Sequence, residues 1–284
     1  MKIKTKILLG SLVILIIGVI VYIYAMFFGA KLLKVKEYKI ESNKISNAYD
    51  GLKVIHISDI HYDVSITKED LKNIIKNINA LKPDLVFLTG DLVDDKITQK
   101  QHNEIADAFK ELNAKIGKYA ILGNHDYSYK NWNELITDMG FTNLNDSYEL
   151  IYDNSNEAIF IAGISSNIYA KKGIEDRSET IFEYLNSANT NQYKILLMHE
   201  PDYIEDIDYN KFDLILSGHS HNGQVRFPLI GALYTPVGSK KYYKEYYRLN
   251  ETDLYISSGL GTTLLPIRLF NRPSFNLYRI VEKK

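Results

Sequence analysis

The stretch "LKVIHISDIH", residues 52–61, joins an apolar run to a polar end. Its first six residues are rich in β-branched side chains, which predicts a buried β-strand. The run stops at Asp59 and His61, two side chains that are costly to bury and that a hydrophobic core does not select. We therefore predict a strand with functional residues at its carboxyl end. The ends of the other predicted strands are expected to contribute to the same site.

Apolar runs of the same kind alternate with helical stretches along the next part of the chain. Strands are predicted at "DLVFLTG", residues 84–90, and at "KYAILG", residues 118–123. Helices are predicted over residues 68–82 and 103–116. Strands that are apolar on both faces and alternate with helices are typical of a layered α/β sheet.

Further apolar runs follow in the C-terminal half, at residues 158–164, 193–199, 212–218, 253–259 and 274–281. Little helical sequence separates the last of them, so we expect antiparallel or mixed strand pairing there. The sequence has no internal repeat, low-complexity segment or interdomain linker. Residues 31–284 are therefore expected to form one domain, which is a common size for an α/β fold.

Charge and cysteine content exclude several classes of function. Lys and Arg total 34 against 35 Asp and Glu, which leaves a net charge of -1 and no electrostatic basis for binding nucleic acid, so none is expected as a partner. The chain has no cysteine. Disulfides, thiolate catalysis and cysteine-type zinc sites are thereby excluded.

The N-terminus carries a long uncharged segment. Residues 7–30 contain no charged side chain, and 24 residues of helix reach about 36 Å, enough for a hydrocarbon core of about 30 Å. We predict a transmembrane anchor at residues 7–30, preceded by a basic tail at residues 1–6. A cleaved signal peptide is the alternative, but its apolar region would be shorter, about 7–15 residues, and the chain has no convincing cleavage site before Lys31.

The same segment predicts a single-pass protein of the cell membrane. The tail has three lysines and no acidic residue, which favours an extracytoplasmic side for the domain of residues 31–284. Lysines also follow the span, so charge alone leaves the orientation open. The first strand is expected near Val35, a few residues after the span, which places the domain close to the bilayer.

Polar residues follow five of the predicted strands, at the point where each strand ends. The five loops hold five of the seven histidines together with carboxylate and amide side chains, namely Asp59, His61, Asp91, Asn124, His125, Asp126, His199, His219 and His221. Sites in open α/β sheets form beyond the carboxyl ends of strands, so these loops are expected to converge. Imidazole, carboxylate and amide ligands hold Mn²⁺, Fe or Zn²⁺ in open, water-bearing sites.

The ordered pattern of D-x-H, G-D, G-N-H-D, H and G-H-x-H resembles the calcineurin-like metallophosphoesterase family. The resemblance extends from Gly51 to Ile280, and "GHSHNGQVRFP" and "GLGTTLLPIRL" resemble its membrane-anchored bacterial phosphodiesterase branch. It implies an α/β fold of two mixed β-sheets packed as a sandwich, flanked by helices, with a metal site at the carboxyl ends of strands.

The resemblance also implies a site for two divalent metal ions, with Mn²⁺ or Fe favoured and Zn²⁺ an alternative. One ion would be held by Asp59, His61 and His221. The second would be held by Asn124, His199 and His219. Asp91 would bridge the two ions, His125 would protonate the departing oxygen, and Asp126 would orient His125.

The implied activity is a phosphodiesterase or pyrophosphatase that uses a metal-bound hydroxide on a membrane-associated or cell-envelope phosphoester, including lipid-linked substrates. A phosphatase of soluble nucleotides and a metal-free binding scaffold are alternatives, although a scaffold should lack ligands that this chain retains. Metallo-β-lactamase-like hydrolases need H-x-H-x-D-H, whereas this chain continues "HSHNGQ" from His219. That class is excluded.

Other polar residues near the motifs are given structural roles. His56 is expected to be a core histidine and His102 to be solvated. Turn, capping or solvent-facing roles are expected for the acidic residues Asp63, Asp94 and Asp95. The run "KKYYKEYYR", residues 240–248, is interpreted as a strand or loop with amphipathic tyrosines, with a surface for headgroups or sugar as the alternative.

Overall fold

Two six-stranded β-sheets pack face to face, and helices cover both outer faces. The structure, a computed structural model, describes residues 3–153, 157–188 and 191–284. The predicted α/β sandwich of two mixed sheets flanked by helices is confirmed.

Fourteen strands form these sheets and one short hairpin within the described residues: β1 (Lys34–Ser42), β2 (Leu52–Ile57), β3 (Leu85–Thr89), β4 (Gly117–Ile121), β5 (Thr142–Asn143), β6 (Ser147–Ile151), β7 (Ile159–Ile164), β8 (Lys194–Met198), β9 (Leu214–Ser217), β10 (Arg226–Phe227), β11 (Gly231–Ala232), β12 (Tyr246–Leu249), β13 (Thr252–Ile256) and β14 (Ser274–Glu282). The first sheet has the order β1, β14, β2, β3, β4, β5, and the second has the order β12, β13, β9, β8, β7, β6. Strands β2 to β5 run parallel, as do β7, β8, β9 and β13. In each sheet, carboxyl ends of neighbouring strands therefore meet at one edge.

The helices are α1 (Ile3–Tyr24), α2 (Lys68–Ala80), α3 (Gln99–Lys110), α4 (Trp132–Asp138) and α5 (Ile174–Ser187). Capping boxes start α2 at Thr67 and α3 at Thr98. In each, the threonine hydroxyl accepts the backbone N–H of the residue three positions later, Asp70 or Gln101, and the side chain of that residue accepts the threonine backbone N–H. This cap explains why α3 begins at Gln99, before the predicted start at residue 103.

Three apolar clusters hold the layers together. The central cluster lies between the sheets and includes Phe87 from one sheet and Leu197 from the other. A second cluster packs α2, α3 and α4 on the first sheet, and a third packs α5 on the second sheet. Because both faces of the central strands are buried, their sequences are apolar throughout, as the sequence pattern indicated.

The two histidines outside the loops differ from each other. His56 is buried in the core with Nε2 2.8 Å from Thr89 Oγ1, and burial lowers the pKa of its imidazole to about 3. Its predicted core role is confirmed. The expectation that His102 is solvated is wrong, because α4, which the sequence pattern did not indicate, packs over it. His102 is buried between Tyr129 and Asp138, with ring nitrogens 2.7 Å and 3.0 Å from their oxygens.

The tyrosine-rich run, residues 240–248, is a loop leading into an edge strand of the second sheet. Tyr242 is buried and its hydroxyl donates to Glu205 at 2.5 Å, while the ring of Tyr246 lies 4.9 Å from the ring of Tyr255. The interpretation as a strand or loop with amphipathic tyrosines is confirmed.

The N-terminal helix is fixed at its C-terminal end to the domain that follows it. It continues through a π-helical turn, Ala25–Gly29, and the 27 residues Ile3–Gly29 are long and apolar enough to cross a membrane. Ala25 accepts a bond of 3.0 Å from the backbone N–H of Arg268. A side chain on Gly29 would lie 2.0 Å from the Arg268 carbonyl oxygen, so only glycine permits this approach. Strand β1 then begins at Lys34.

Candidate metal centre

Loops from both sheets meet at one edge of the sandwich. They follow β2, β3 and β4 in the first sheet and β8 and β9 in the second. Backbone bonds tie the loops together: Asp59 donates to the Gly90 carbonyl at 3.0 Å, Ile60 to that of Asp91 at 2.8 Å, and Gly218 to that of His199 at 3.0 Å. The convergence expected from the sequence therefore has a structural basis in a shared network.

The backbone of this edge is strained. Five of the seven predicted ligands have positive φ, a region that non-glycine residues rarely adopt: Asp59, His61, Asp91, His219 and His221, with φ between 46° and 62°. Such conformations persist where surrounding contacts fix them, and they cluster at functional sites.

A glycine opens space beside these ligands. Gly90 has a φ of +87°, and a side chain there would lie 2.5 Å from Gly123 Cα and 2.6 Å from His199 Nδ1. Glycine at this position therefore permits the close approach of three strand ends.

The first ligand cluster contains Asp59, His61 and His221, all buried. The Nε2 atoms of His61 and His221 face each other at 3.2 Å, and His221 Nε2 lies 3.5 Å from Asp59 Oδ1. Two imidazole nitrogens that point at the same space as a carboxylate form a donor set suited to a divalent cation.

The second cluster contains Asp91, His199 and His219, with Asn124 beside it. His199 Nε2 lies 3.2 Å from Asn124 Oδ1 and 3.2 Å from Asp91 Oδ2. The same Asp91 oxygen is 3.8 Å from His61 Nε2 in the first cluster. Asp91 thus lies between the two clusters, where a bridging carboxylate is needed.

The outward nitrogens of three ligands are fixed by hydrogen bonds. His199 Nδ1 donates to the Thr89 carbonyl at 2.6 Å, His61 Nδ1 to Asp94 Oδ1 at 2.9 Å, and His219 Nε2 to the Val237 carbonyl at 2.7 Å. Each bond leaves the other ring nitrogen available as a ligand, which is the usual arrangement around metal-bound histidine.

His221 differs from the other three histidines. Its Nδ1 lies 3.3 Å from Nη2 of the buried Arg268, which is itself a donor. Its Nε2 is the nitrogen that faces His61 in the first cluster.

The electrostatics of the buried carboxylates also suit cations. Burial acts to raise the pKa of Asp91, but the charges of His199 and His61 outweigh it and hold this pKa well below its usual range. Burial raises the pKa of Asp59. A pair of carboxylates in a dry site is stabilised by positive charge. The residues at both clusters therefore fit a binuclear divalent metal site.

His125 lies beside the clusters and is paired with Asp94. Its ring centroid is 5.0 Å from that of His61, and its Nδ1 lies 3.0 Å from Asp94 Oδ1. Burial acts against a charge on this ring, but the bond with Asp94 and the charge of Asp91 outweigh it and raise the pKa of His125 to about 9. The protein groups by themselves thus hold a proton on His125 at neutral pH.

The role predicted for Asp126 needs correction. Its carboxylate accepts the backbone N–H groups of Asp91, Val93 and Gly123 at 2.8, 3.1 and 2.9 Å. It therefore fixes the loops after β3 and β4, and Asp94 instead contacts the ring of His125. The oxygens of Asp126 point to these backbone N–H groups and not to the His125 ring, so Asp126 does not orient His125 directly.

Asp94 is the residue that sequence reasoning missed. It contacts His61 and His125 together, whereas Asp63 accepts from Gln101 Nε2 at 2.6 Å and Asp95 from the backbone of Lys96 at 2.7 Å. The structural roles expected of Asp63 and Asp95 are confirmed. The available signal was the spacing of Asp94, three residues after Asp91 in the same loop.

Comparisons with known proteins identify the family of the chain. The sequence profile described as calcineurin-like phosphoesterase matches residues 52–223, which include every predicted site residue. The chain is 33% identical over 263 residues to the uncharacterized metallophosphoesterase YkuE of Bacillus subtilis, covering 91% of this chain and 89% of that one.

A zebrafish (Danio rerio) protein named "Transmembrane protein with metallophosphoesterase domain" is 29% identical over 268 residues, covering 91% of this chain and 60% of its own length. Among solved structures, TT1561 of Thermus thermophilus aligns with a TM-score of 0.49 and 15% identity, covering 74% of this chain and 90% of that one. The profile and the Bacillus relative decide the assignment: the chain belongs to the calcineurin-like phosphoesterase family and is a metallophosphoesterase, a hydrolase of phosphoester bonds.

Proposed function

We propose that this protein is a membrane-anchored phosphodiesterase or pyrophosphatase that hydrolyses a membrane-associated or cell-envelope phosphoester. The observation that carries the proposal is the position of Asp91 Oδ2, 3.8 Å from His61 Nε2 in one cluster and 3.2 Å from His199 Nε2 in the other. Two cations that shared this oxygen would stabilise the attacking and leaving oxygens of an in-line displacement at phosphorus.

The ligand assignment follows the two clusters. Asp59, His61 and His221 would hold one ion, Asn124, His199 and His219 would hold the other, and Asp91 would bridge them. When bound, the ions polarise the phosphoryl group and lower the pKa of a coordinated water to about 7. Donors of mixed oxygen and nitrogen type, in a chain without cysteine, favour Mn²⁺ or Fe over a zinc-only site.

His125 supplies the proton for the leaving group. Since Asp94 lies at Nδ1, the proton is delivered from Nε2. An alkoxide is a poor leaving group, and a positioned acid accelerates its departure by about 10²–10⁴-fold. Asp94 acts through His125 and is a positioning residue, while Asp126 holds the loop that carries His125.

The membrane placement rests on the N-terminal helix. Residues 3–24 are exposed along the whole helix, and the domain begins within a few residues of its end. The zebrafish relative is also named as a transmembrane protein. We place the catalytic domain outside the cytoplasm because residues 1–6, which precede the uncharged stretch, contain three lysines and no acidic residue. Protease added to intact cells should then remove the domain, and protection from protease would contradict this orientation.

The substrate class is tested by comparing turnover of a membrane-borne substrate with turnover of soluble substrates. The full chain, supplied with Mn²⁺, is given a phosphodiester carried by a vesicle lipid and, separately, soluble nucleotides. We expect a higher kcat/KM for the vesicle substrate, since anchoring concentrates enzyme and lipid at one surface. Preference for the soluble nucleotides would support the alternative phosphatase. Absence of turnover on both, together with absence of bound metal, would support the scaffold.

A further inference from the structure

Large apolar side chains on the surface of the catalytic domain concentrate in two segments. We define the apolar rim as residues 227–237 and 264–270. Nine exposed large hydrophobic residues lie there, at Phe227, Leu229, Ile230, Leu233, Tyr234, Val237, Leu264, Leu265 and Phe270. Leu229 is 108% exposed and Leu264 is 86% exposed. Apolar surface of this extent marks an interaction site on a folded protein.

The two segments form one surface. Val225 pairs with Leu269 in a β-bridge, and the Arg226 N–H donates to the Leu269 carbonyl at 3.0 Å. Gln224 Nε2 donates to the carbonyls of Thr263 at 3.1 Å and Leu265 at 3.0 Å. The hairpin of β10 and β11 is therefore fastened to the second segment, and the apolar side chains are held as a group.

Part of the apolar rim lines the catalytic cavity. This cavity of about 520 Å³ is lined by His125, His219 and His221 and also by Leu233, Leu264 and Leu265 of the apolar rim. A ligand inside it would meet both the residues of the metal centre and apolar side chains. That combination matches a phosphoester with a polar headgroup and an aliphatic portion.

The backbone conformation of three exposed rim residues indicates that their side chains contact something outside the folded chain. Leu229, Leu264 and Phe270 have φ of 69°, 60° and 52°, in the left-handed region that disfavours residues with bulky side chains. Each is exposed, so burial in the core does not offset the strain. Asparagine or glycine would suit these positions better on backbone grounds alone.

The apolar rim is continuous with the membrane helix. Arg268, within the rim, donates its backbone N–H to Ala25 at 3.0 Å, and its carbonyl oxygen lies against Gly29. A smaller cavity of about 270 Å³ is lined by Phe27 from the helix end together with Val64 and Pro266. The apolar rim thus lies next to the C-terminal end of the apolar N-terminal helix.

We propose that the apolar rim docks into the leaflet next to the C-terminal end of the N-terminal helix, so that the catalytic cavity opens onto lipid. Resting on the proposed function, the substrate is then a phosphoester with acyl or isoprenoid chains that enters from the bilayer. One basic side chain supports this placement. Lys240 Nζ lies 5.0 Å from the centroid of the exposed Tyr234 ring, and lysine and tyrosine together suit contact with lipid headgroups.

Docking is tested by depth measurement, which needs no activity. Because the chain has no cysteine, Leu229→Cys, Leu264→Cys and Phe270→Cys each carry one spin label in the full chain. Tyr152→Cys, an exposed aromatic position 57% accessible and outside the rim, is the matched control. The protein is placed in nanodiscs of phosphatidylcholine and phosphatidylglycerol. We expect rim labels to be accessible to oxygen and shielded from a water-soluble nickel chelate, with the reverse at the control.

Rim labels that respond as the control does would overturn docking. Rim labels shielded from both reagents, with dipolar broadening between copies, would also overturn it and indicate self-association instead. Both results are independent of the catalytic assignment.

Access to lipid is tested with Leu229→Asn and Phe270→Asn combined, because asparagine tolerates a left-handed backbone and neither residue lines the catalytic cavity. We expect kcat/KM for bis-p-nitrophenyl phosphate to stay within about 2-fold and that for a vesicle lipid phosphodiester to fall at least about 10-fold, mainly through KM. Tyr152→Asn should change neither. Equal losses on both substrates, or no loss on either, would contradict the proposal.

One further outcome separates the two parts of the proposal. If the wild-type chain hydrolyses the soluble diester but no vesicle lipid, while its rim labels are accessible to oxygen and shielded from the nickel chelate, the lipid substrate is refuted and docking remains supported.

Discussion

The ligand loops and the apolar rim differ in polarity, burial and internal bonding. The ligand loops are polar, buried and bonded internally, and their strained residues, such as Asp59 and His221, are held by neighbours. The apolar rim is exposed, and its strained residues, such as Leu229 and Leu264, have no comparable burial. The ligand loops are thus organised by the chain itself, whereas the apolar rim is organised for something outside it.

The largest effect is expected from Asp91→Ala, which removes the carboxylate shared by the two clusters. Activity should fall to the uncatalysed background, and metal should be lost from both clusters because the cations would repel each other. Metal analysis and turnover of bis-p-nitrophenyl phosphate measure the two effects. Asp95→Ala, an exposed carboxylate in the same loop, is the control and should keep both. Two tightly held metals in Asp91→Ala would contradict the bridging role.

A smaller loss is expected from His125→Ala, which should retain metal and lose rate. With an alkyl leaving group the loss should be about 10²–10⁴-fold, because no other acid protonates the departing oxygen. A nitrophenolate leaves without a proton, so its hydrolysis should suffer less. Comparison of one nitrophenyl and one alkyl ester under the same conditions measures this difference. Equal losses would argue against His125 as the acid.

Asp94→Asn should have an intermediate effect and a distinctive pH signature. We expect a loss of about 10–100-fold, as for residues that orient metal ligands. The bond with the Asp94 carboxylate and the charge of Asp91 together raise the pKa of His125 to about 9, so removal of the Asp94 carboxylate lowers that pKa. An acid must be protonated to act, and the alkaline limb of the pH–rate profile should therefore move to lower pH. Asp95→Asn should leave the limb in place, and an unmoved limb in Asp94→Asn would exclude the positioning role.

The smallest effect is expected in the apolar rim, where Leu229→Asn should change thermal stability little or increase it. Relief of the left-handed strain contributes about 1 kcal/mol or less, because asparagine tolerates this conformation. Thermal unfolding of the wild type and the variant measures it. A destabilisation of several kcal/mol would show that Leu229 is part of the core, and the contrast between the ligand loops and the apolar rim would be lost.

The sequence predicted the ligand loops because their polar residues interrupt the apolar pattern of the strands. Asp59 and His199 end apolar strands, where polar side chains are unexpected, and parallel strands bring such ends together. Side-chain direction was not predictable in the same way. Asp94 and Asp126 both lie near His125 along the chain, and only the folded loop shows which carboxylate reaches the ring.

Two other features depend on packing that local sequence does not specify. His102 lies on a helix with a polar start, and its burial follows from α4, a helix of seven residues that is too short for a clear period. The apolar rim consists of short segments without a long strand or helix, so its exposure becomes visible only when the surface is complete.

Two cations held by one chain are central to the proposed reaction, and the most direct measurement is metal content followed through a titration. The full chain is stripped with a chelator, Mn²⁺ is added back in steps, and bound metal and turnover of bis-p-nitrophenyl phosphate are measured on the same samples. We predict two equivalents per chain, with turnover absent after chelation and rising as the second equivalent binds. Saturation at one equivalent or fewer, or turnover that survives chelation, would contradict a binuclear catalytic centre.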